Sequence, residues 1–295
     1  MALPMNLFSK FRSLWPVCQH VKSAARLSSQ ASGTKLTLVS DENGVRRILL
    51  NNARKRNALS LAMLESLRDD ILVGIDKEGT RVIVIAHDGP VFSSGHDLKE
   101  LTTKEGREYH TKVFSRCSEV MKLVQDVPVP VIAQVNGLAT AAGCQLVASC
   151  DMAVVSDKSK FATPGVSIGL FCSTPAVALA RAVPRKVAME MLFTGFPIDA
   201  KDALQHGLVN RVVPEEELET ETRRLTDRIC ETSHSVTALG KTTFYDQIAR
   251  DRNSAYVKTE RVMVENLGLK DGQEGLAAFL GKRKPTWTHG TDPAE

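Results

Sequence analysis

The sequence predicts an α/β protein whose strands alternate with helices and whose last third is helical. Three observations predict this class. Short apolar runs such as RVIVIAH (81–87) and VPVIAQVNG (129–137) are typical of parallel strands covered on both faces. Helical segments separate these runs, and such alternation favours right-handed crossovers within one sheet. From Pro214 onward only helical patterns follow, which indicates a helical C-terminal region.

The elements can be predicted in order along the chain. The segments 34–40 and 45–51 read as strands around Asn43-Gly44, a dipeptide typical of a hairpin turn. Ser60 precedes an apolar-periodic run and is a predicted helix cap, as is Asp97 before a second helical segment near Leu98. Further strands are predicted in DMAVVSD (151–157) and GLVNRVV (207–213).

Residues 1–30 are predicted to be a mitochondrial transit peptide. They contain basic and serine residues but no acid, since the first acidic residue is Asp41. Apolar residues from Leu7 to Trp15 fall at helical spacing, and Pro16 would end that helix. The alternative is a tail that lacks acids by chance. The signal implies a mitochondrial protein, with the matrix as its expected compartment.

Charge and cysteine usage exclude several classes of function. The four Lys and Arg residues before residue 30 account for the whole formal net charge of +4. A neutral body argues against nucleic acid or an anionic membrane as a partner.

The six cysteines form no CxxC pair and no zinc-finger spacing, so no metal site is predicted and the thiols are expected to be buried and reduced. No apolar run is long enough for a membrane span.

Two stretches are suited to binding a ligand through backbone donors. In FSSGHDLKEL (92–101) the chain turns at Ser94-Gly95. In NGLATAAGCQL (136–146) the residues Ala141 to Gly143 begin a helix whose first N–H groups lack intrahelical partners. Two such N–H groups that converge on one oxygen make an oxyanion hole. The alternative is that these small residues only let the helix pack closely against the sheet.

These two stretches belong to a longer set of matches. RNALS, FSSGHDLKEL, NGLATAAGCQL, ATPGVSIGL, AMEMLFTGFPIDAKDALQHGLVNRVVP and EGLAAFLGKRKP occur in this order between about Leu36 and Trp287. In these motifs and in their order, the chain resembles the crotonase, or enoyl-CoA hydratase/isomerase, superfamily. The resemblance implies a spiral of ββα units over residues 31–214 and a helical trimerisation region over 215–295. It also implies a homotrimer or a hexamer built as a dimer of trimers.

The resemblance implies a site for a coenzyme A thioester, with no other cofactor. The backbone N–H groups of His96 and Ala142 match the family's oxyanion donors, while the His96 side chain is expected to face solvent or cover the adenine, or else to titrate near neutrality. The expected CoA-binding residues are Lys55, Asn57, Ala58, Leu59, Ser94, Gly95, Asp97, Leu98, Lys99, Gly143 and Lys282. Lys282 would reach the CoA of a neighbouring subunit, or it lies in a solvated tail.

The departures from the family pattern affect the expected reaction. Gln145 and Gly165 stand where hydratases of the family carry glutamates, and Ser173 stands where related isomerases carry an aspartate. Glutamine cannot titrate and glycine has no side chain, so ordinary enoyl-CoA hydration is not expected. Restoring both carboxylates in a Gln145→Glu, Gly165→Glu double variant is expected to create hydratase activity.

Two hypotheses about function follow. The first is an acyl-CoA enzyme of mitochondrial fatty acid and lipid metabolism that works mainly by polarising the thioester. The second is a catalytically silent acyl-CoA binder, sensor or assembly subunit that keeps the pocket. Whether the chain is an enzyme therefore stays open at this point, because family membership does not determine chemistry.

Overall fold

The computed structural model describes residues 35–75 and 79–294, so the predicted transit peptide (1–30) lies outside the described residues. The strands are β1 (Thr37–Glu42), β2 (Val45–Leu50), β3 (Val82–His87), β4 (Val91–Ser93), β5 (Val131–Val135), β6 (Leu138–Thr140), β7 (Met152–Ser156), β8 (Lys160–Ala162), β9 (Ile198–Asp199) and β10 (Arg211–Val213). The helices are α1 (Leu61–Leu72), α2 (Gly106–Asp126), α3 (Ala142–Ser149), α4 (Ser173–Ala182), α5 (Arg185–Thr194), α6 (Ala200–Gln205), α7 (Leu218–Cys230), α8 (His234–Ile248), α9 (Arg252–Leu267) and α10 (Lys270–Leu280). Within the described ranges, no helix combines the length and the apolar character that a bilayer crossing requires.

The strands form two sheets. The larger sheet has the order β1-β2-β3-β5-β7-β10, and all its pairs are parallel except β1 with β2. The smaller sheet has the order β4-β6-β8-β9, in which only the last pair is antiparallel. The predicted α/β class with mainly parallel strands is therefore confirmed.

A repeated unit connects the two sheets. In each turn of the chain, a strand of the larger sheet is followed by a short strand of the smaller sheet and then by a helix. The sequence β3-β4-α2 is the first such unit, β5-β6-α3 the second and β7-β8-α4 the third. The turns stack in register, because β3 pairs with β5 and β5 with β7 while β4 pairs with β6 and β6 with β8. This is the spiral of ββα units that the sequence led us to expect.

Local signals in the sequence specify several of these elements. Asn43 and Gly44 have φ values of 50° and 82°, as a two-residue hairpin turn requires, and Glu42 pairs with Val45 across it. The Ser60 hydroxyl accepts a hydrogen bond from the N–H of Met63 and so caps α1. The Asp97 carboxylate accepts from the N–H of Lys99 and caps the short 3₁₀-helix Leu98–Leu101. The hairpin and both predicted caps are confirmed.

The larger sheet is covered on both faces, which explains its nearly uninterrupted apolar strands. Along β3, Ile83 and Ile85 belong to the main core, whereas Val82 and Val84 pack on the opposite face with Leu218 of α7. All four β3 side chains are at most 1 % exposed. Fully burying an aliphatic side chain of this size contributes about 1.5–3 kcal/mol. The first helix after Pro214 thus forms part of the layer that covers the sheet.

A buried ion pair attaches α8 to the end of α3. The Lys241 ammonium donates to Asp151 Oδ2 at 2.7 Å and to the carbonyls of Val124 and Val129, both at 2.8 Å. The Tyr245 hydroxyl donates to Asp151 Oδ1 at 2.8 Å. Burial lowers the pKa of Lys241, although the neighbouring Asp151 carboxylate opposes this shift. The pair is fully hydrogen-bonded, as a buried charge must be.

Candidate active site

The loop after β4 is held against the turn that precedes α1. The Ser93 hydroxyl donates to the carbonyl of Asn57 at 2.8 Å and accepts from the N–H of Gly95 at 3.2 Å. The Gly95 carbonyl accepts from the N–H of Leu59 at 2.7 Å, and the Arg56 carbonyl accepts from the N–H of Ser94 at 3.0 Å. The two stretches predicted to form the CoA site are therefore adjacent in space.

Three of the predicted CoA-binding residues support this turn from within the protein. Asn57 has φ 49° and is 0 % exposed, and its side chain bonds to backbone groups of Asn52, Asp88 and Val91. Ala58 and Leu59 are 7 % and 0 % exposed. Their side chains pack inside the turn, and their assignment as CoA-binding residues stays a prediction. Lys55, Leu98 and Lys99 are on the surface of the same region.

The two candidate oxyanion stretches touch each other at glycines. A Cβ atom placed on Gly95, whose φ is 84°, would lie 2.9 Å from the Ala141 Cβ and 3.3 Å from the Ala142 backbone nitrogen. A Cβ atom on Gly143 would lie 2.7 Å from the Ser93 carbonyl oxygen. Side chains at these two positions would force the loops apart. Close packing is thus one reason for the small residues, and it brings the loop of His96 against the start of α3.

The backbone at the start of α3 is held in an uncommon conformation. Ala141 has φ 49° and ψ −117°, a region that residues with a side chain rarely adopt. Its N–H donates to the carbonyl of Ala162 at 2.9 Å, and its carbonyl accepts from the N–H of Gln145. Ala142 follows as the first helical residue and is 0 % exposed. An acceptor oxygen can reach its N–H only if the residues that cover it move.

The His96 side chain is turned inward. Its Nδ1 lies 3.1 Å from the carbonyl oxygen of Leu59, and its ring meets Phe114 of α2 edge-on at a centroid distance of 5.1 Å. Its Nε2 is buried and bonds to no other group in the described part of the chain. Burial lowers the pKa of His96, and the contact with the Leu59 carbonyl only partly opposes this shift. A solvent-facing imidazole, one of the sequence-based expectations, is therefore wrong.

Gln145 occupies the first of the two missing glutamate positions with a side chain of similar size. It is 4 % exposed, and its Oε1 lies 4.0 Å from the thiol of Cys117 on α2. Burial raises the pKa of Cys117 to about 12, so this thiol stays protonated and can donate to the amide oxygen. Phe114 and Cys117 were not predicted as site residues. Their separation of three on an amphipathic helix is the signal that places both on one face.

At Gly165, the second missing glutamate position, the loss of the side chain has not left an empty space. A Cβ atom here would lie 2.2 Å from the carbonyl oxygen of Leu170 and 2.8 Å from the Cys172 sulfur. The Leu170 N–H also donates to the Gly165 carbonyl at 2.9 Å. The space beside Gly165 is thus filled by the following loop. A Gly165→Glu substitution can place a carboxylate here only if this loop shifts, which counts against the gain of hydratase activity expected of the double variant.

The remaining polar groups near this loop have structural roles. Burial raises the pKa of Cys172 and raises that of Cys144 to about 12, which makes both poor nucleophiles at neutral pH. The Ser173 hydroxyl donates to the carbonyl of Phe171. Burial alone would raise the pKa of Asp97, but the hydrogen bonds from the Lys55 side chain and the Lys99 N–H outweigh it and keep the pKa low.

Lys282 is far from these loops in sequence, after the last helix of the described chain. It follows α10 with φ 53°, and its N–H donates to the carbonyl of Phe279. Within the described residues of one chain, its backbone forms no hydrogen bond with the loops around His96 and Ala142. Nor do three His, Cys, Asp or Glu side chains gather into a possible metal site anywhere in 35–75 or 79–294.

Comparison with known proteins identifies the family. The enoyl-CoA hydratase/isomerase family profile matches residues 40–290. Enoyl-CoA hydratase domain-containing protein 3, mitochondrial, is 64 % identical over 262 residues in Xenopus laevis (89 % of each chain) and 62 % over 266 in Rattus norvegicus (90 % of this chain, 89 % of the relative). The crystal structure of the human protein of that name aligns with a TM-score of 0.85 at 62 % identity and covers 85 % of this chain and 100 % of the other. An enoyl-CoA hydratase from Mycobacterium smegmatis aligns with a TM-score of 0.84 at 45 % identity and covers 86 % and 99 %. With this fold and these matches, the chain belongs to the enoyl-CoA hydratase/isomerase, or crotonase, family.

Proposed function

We propose that the protein binds acyl-CoA thioesters through the backbone N–H groups of His96 and Ala142, and that enoyl-CoA hydration is not its reaction. One observation carries the proposal: the close approach of Gly95 to the Ala142 nitrogen, which brings the loop of His96 against the start of α3. Two N–H groups from these positions, with the positive end of α3 behind one of them, would polarise a thioester carbonyl.

The proposed CoA-binding surface lies on the turn 55–59 and the loop 94–99. Lys55 is exposed and pairs with Asp97 at 3.1 Å, while Lys99 is exposed with no recorded ion pair in the described residues. Either ammonium group is available for a phosphate of CoA, because a surface ion pair is worth at most about 1 kcal/mol and is readily exchanged. The role of Lys282 at a neighbouring subunit's CoA is part of the same proposal.

The exclusion of hydration rests on the two glutamate positions. A positioned acid or base contributes about 10²–10⁴-fold to a reaction that needs proton transfer. The Gln145 amide cannot titrate, and the space for a side chain at residue 165 is filled by the Leu170 carbonyl. The chemistry that remains for the oxyanion hole is polarisation of the thioester, as in enolate formation, decarboxylation or thioester hydrolysis.

We further propose a mitochondrial matrix location and a homotrimeric or hexameric assembly. The relatives are named mitochondrial, which supports the first part. Large apolar side chains on α9 and α10 support the second, since Val264 is 70 %, Phe279 81 % and Leu280 79 % exposed. Apolar patches of this kind mark association surfaces. A role in fatty acid or lipid metabolism is part of the same proposal and rests on the proposed acyl-CoA ligand.

A silent acyl-CoA binder is the second candidate. The filled space at Gly165 favours it, since a site without either carboxylate can bind a thioester without turning it over. The two candidates share the binding step and differ only in whether product forms. Calorimetric titration of the chain with acetyl-, crotonyl- and long-chain acyl-CoA, with assays for hydrated product and free thiol, separates them.

A matched ligand pair tests the oxyanion hole itself. Butyryl-CoA and its thioether analogue S-butyl-CoA have the same chain length, but only the thioester has a carbonyl oxygen. Two hydrogen bonds of about 0.5–1.5 kcal/mol each should make butyryl-CoA bind about 5- to 150-fold more tightly. Equal affinities would exclude the oxyanion hole, and no binding of either compound would exclude the CoA site.

A further inference from the structure

We propose that the imidazole of His96 is the proton acceptor of this site and removes a proton from the α-carbon of a bound acyl-CoA. This inference rests on the proposed function and extends it from binding to a chemical step. His96 would then act twice, because its backbone N–H binds the thioester oxygen while its side chain takes the proton.

The geometry fixes which ring nitrogen accepts the proton. A carbonyl oxygen can only accept a hydrogen bond, so the contact between Nδ1 and the Leu59 carbonyl at 3.1 Å requires a proton on Nδ1. In the neutral imidazole the lone pair is therefore on Nε2. That nitrogen is buried and makes no bond to another group within the described residues. A buried acceptor without a partner is uncommon in proteins, and here its lone pair is free to accept a proton.

The His96 ring and the side chain at the first lost carboxylate position contact the same face of α2. Phe114 contacts the His96 ring, and Cys117, one helical turn further along the same face of α2, contacts the Gln145 amide. The points at which His96 and Gln145 contact α2 are thus one helical turn apart. Each residue is also close in sequence to an oxyanion donor, since His96 provides one itself and Gln145 lies three residues after Ala142.

The other groups around the site cannot take up a proton near neutral pH. Gln145 has no titratable group, and burial keeps the thiols of Cys117, Cys144 and Cys172 protonated. Asp97 is held in its charged form by Lys55 and by its capping bond, and a carboxylate of low pKa is a weak base. Among the described residues of the site, His96 is the neutral group whose free ring nitrogen can accept a proton.

The groups that face His96 leave it neutral. From its own loop the nearest charge is Asp97, which is paired with Lys55. From α2 the facing groups are Phe114, the neutral Cys117 thiol one turn on and His110 one turn before, whose Nε2 contacts the Thr102 carbonyl. From the segment before α1, the Leu59 carbonyl accepts a hydrogen bond from the ring. Burial is thus the main cause of the lowered pKa of His96, which favours the basic form at neutral pH.

The proposed step balances without a further reactant. The Cα–H bond of the acyl group breaks, and its proton forms a bond with Nε2 of His96. The electron pair moves into a Cα–C double bond, and the carbonyl electrons move onto the thioester oxygen, which the two backbone N–H groups stabilise. The reverse step returns a proton to the carbon. In D₂O the returned nucleus is a deuteron, so the α-hydrogens are replaced.

The test is α-hydrogen exchange in butyryl-CoA, a saturated thioester that cannot be hydrated. The chain is incubated with butyryl-CoA in D₂O and the mass of the recovered thioester is followed. His96→Gln keeps the backbone N–H and should slow exchange by about 10²-fold or more, with less than a tenfold change in Kd measured by calorimetry. His206→Gln, a change at the end of α6, should leave the exchange rate unchanged.

The pH profile provides a second readout that a structural role would not produce. The wild-type exchange rate should rise with pH through a value below 6.5 and then level off, as the basic imidazole becomes populated. Butyryl-CoA that binds without exchanging, or exchange that is equally fast in His96→Gln, would overturn the inference while leaving the proposed function intact. Failure of butyryl-CoA to bind would overturn both.

Discussion

The two positions that have lost a glutamate differ in what has taken their place. At residue 145 a neutral amide of nearly the same shape remains, directed at the Cys117 thiol. At residue 165 the side chain is gone, and the Leu170 carbonyl and the Cys172 sulfur occupy its space. One substitution can reverse the first loss, whereas reversing the second requires the loop 169–172 to take another path. The first loss therefore involves a side chain alone, whereas the second also involves the path of the backbone.

The sharpest test of this comparison is a side chain at residue 165. Gly165→Glu should destabilise the protein by more than about 3 kcal/mol or prevent folding, because overpacking alone costs about 1–3 kcal/mol and a buried carboxylate adds to it. Gly165→Ala isolates the steric part and should cost about 1–3 kcal/mol in urea unfolding.

Gly240→Ala in α8 is the matched control for this substitution. Among residues 35–75 and 79–294, no atom outside its own helix lies within 4 Å of the Cβ position, so alanine should stabilise the protein by about 0.5–1 kcal/mol through helix propensity. A Gly165→Ala variant as stable as Gly240→Ala would show that the space at residue 165 is open.

Gln145→Glu should give a folded protein whose stability depends on pH. Burial raises the pKa of the new carboxyl above its value of about 4.3 in the unfolded chain. The unfolded state then loses its proton first, so stability relative to the wild type falls as the pH rises from about 4 and levels off above the folded-state pKa. Urea unfolding from pH 4 to 8 should reveal a loss of about 1–3 kcal/mol. If the stability difference between Gln145→Glu and the wild type did not depend on pH, residue 145 would be hydrated. The contrast between a buried, reversible position 145 and a filled position 165 would then fail.

The coupling free energy between residues 165 and 172 measures how much of the steric clash at Gly165 comes from the Cys172 sulfur and how much from the Leu170 carbonyl. Cys172→Ala removes the sulfur near the Gly165 Cβ position but leaves the Leu170 carbonyl in place. In a double-mutant cycle, Cys172→Ala should therefore recover only about 1 kcal/mol of the cost of Gly165→Ala. Complete recovery would identify the sulfur, and not the backbone, as the obstacle.

The smallest expected effect concerns acid stability at His96. Its pKa is lowered in the folded state, so the unfolded chain binds the proton more tightly and the wild type loses stability as the pH falls through about 6.5. His96→Gln lacks this proton, so its stability relative to the wild type should rise as the pH falls from 7.5 to 5. Parallel thermal-unfolding curves for the two proteins over this range would contradict the buried, neutral state.

Much of the fold could be predicted because its signals are local. The Asn43-Gly44 turn, the Ser60 cap and the apolar strands are encoded within a few residues of where they act. The proximity of the two proposed oxyanion loops was reached only through family resemblance. The burial of Asn57 and the inward His96 ring were not predicted, because both depend on contacts with residues more than 30 positions away.

The filled space beside Gly165 could not be predicted for a related physical reason. A glycine in place of a glutamate looks like a simple loss of a side chain, and nothing in PGVSIGLFC specifies that the chain returns to place the Leu170 carbonyl there. Lys241 was overlooked for the same reason, since its carboxylate partner lies 90 residues earlier. Sequence patterns identify which group is missing, but only the path of the chain determines what fills its place.

The ion pair between Lys241 and Asp151 makes the segment around α3 depend on a helix far along the chain. Asp151 follows the helix that carries Ala142, yet its ammonium partner lies 90 residues later, on α8. Removing one partner of a buried ion pair costs about 3–5 kcal/mol. Chains truncated before Lys241 should therefore lose stability around α3 and be cleaved faster by proteases.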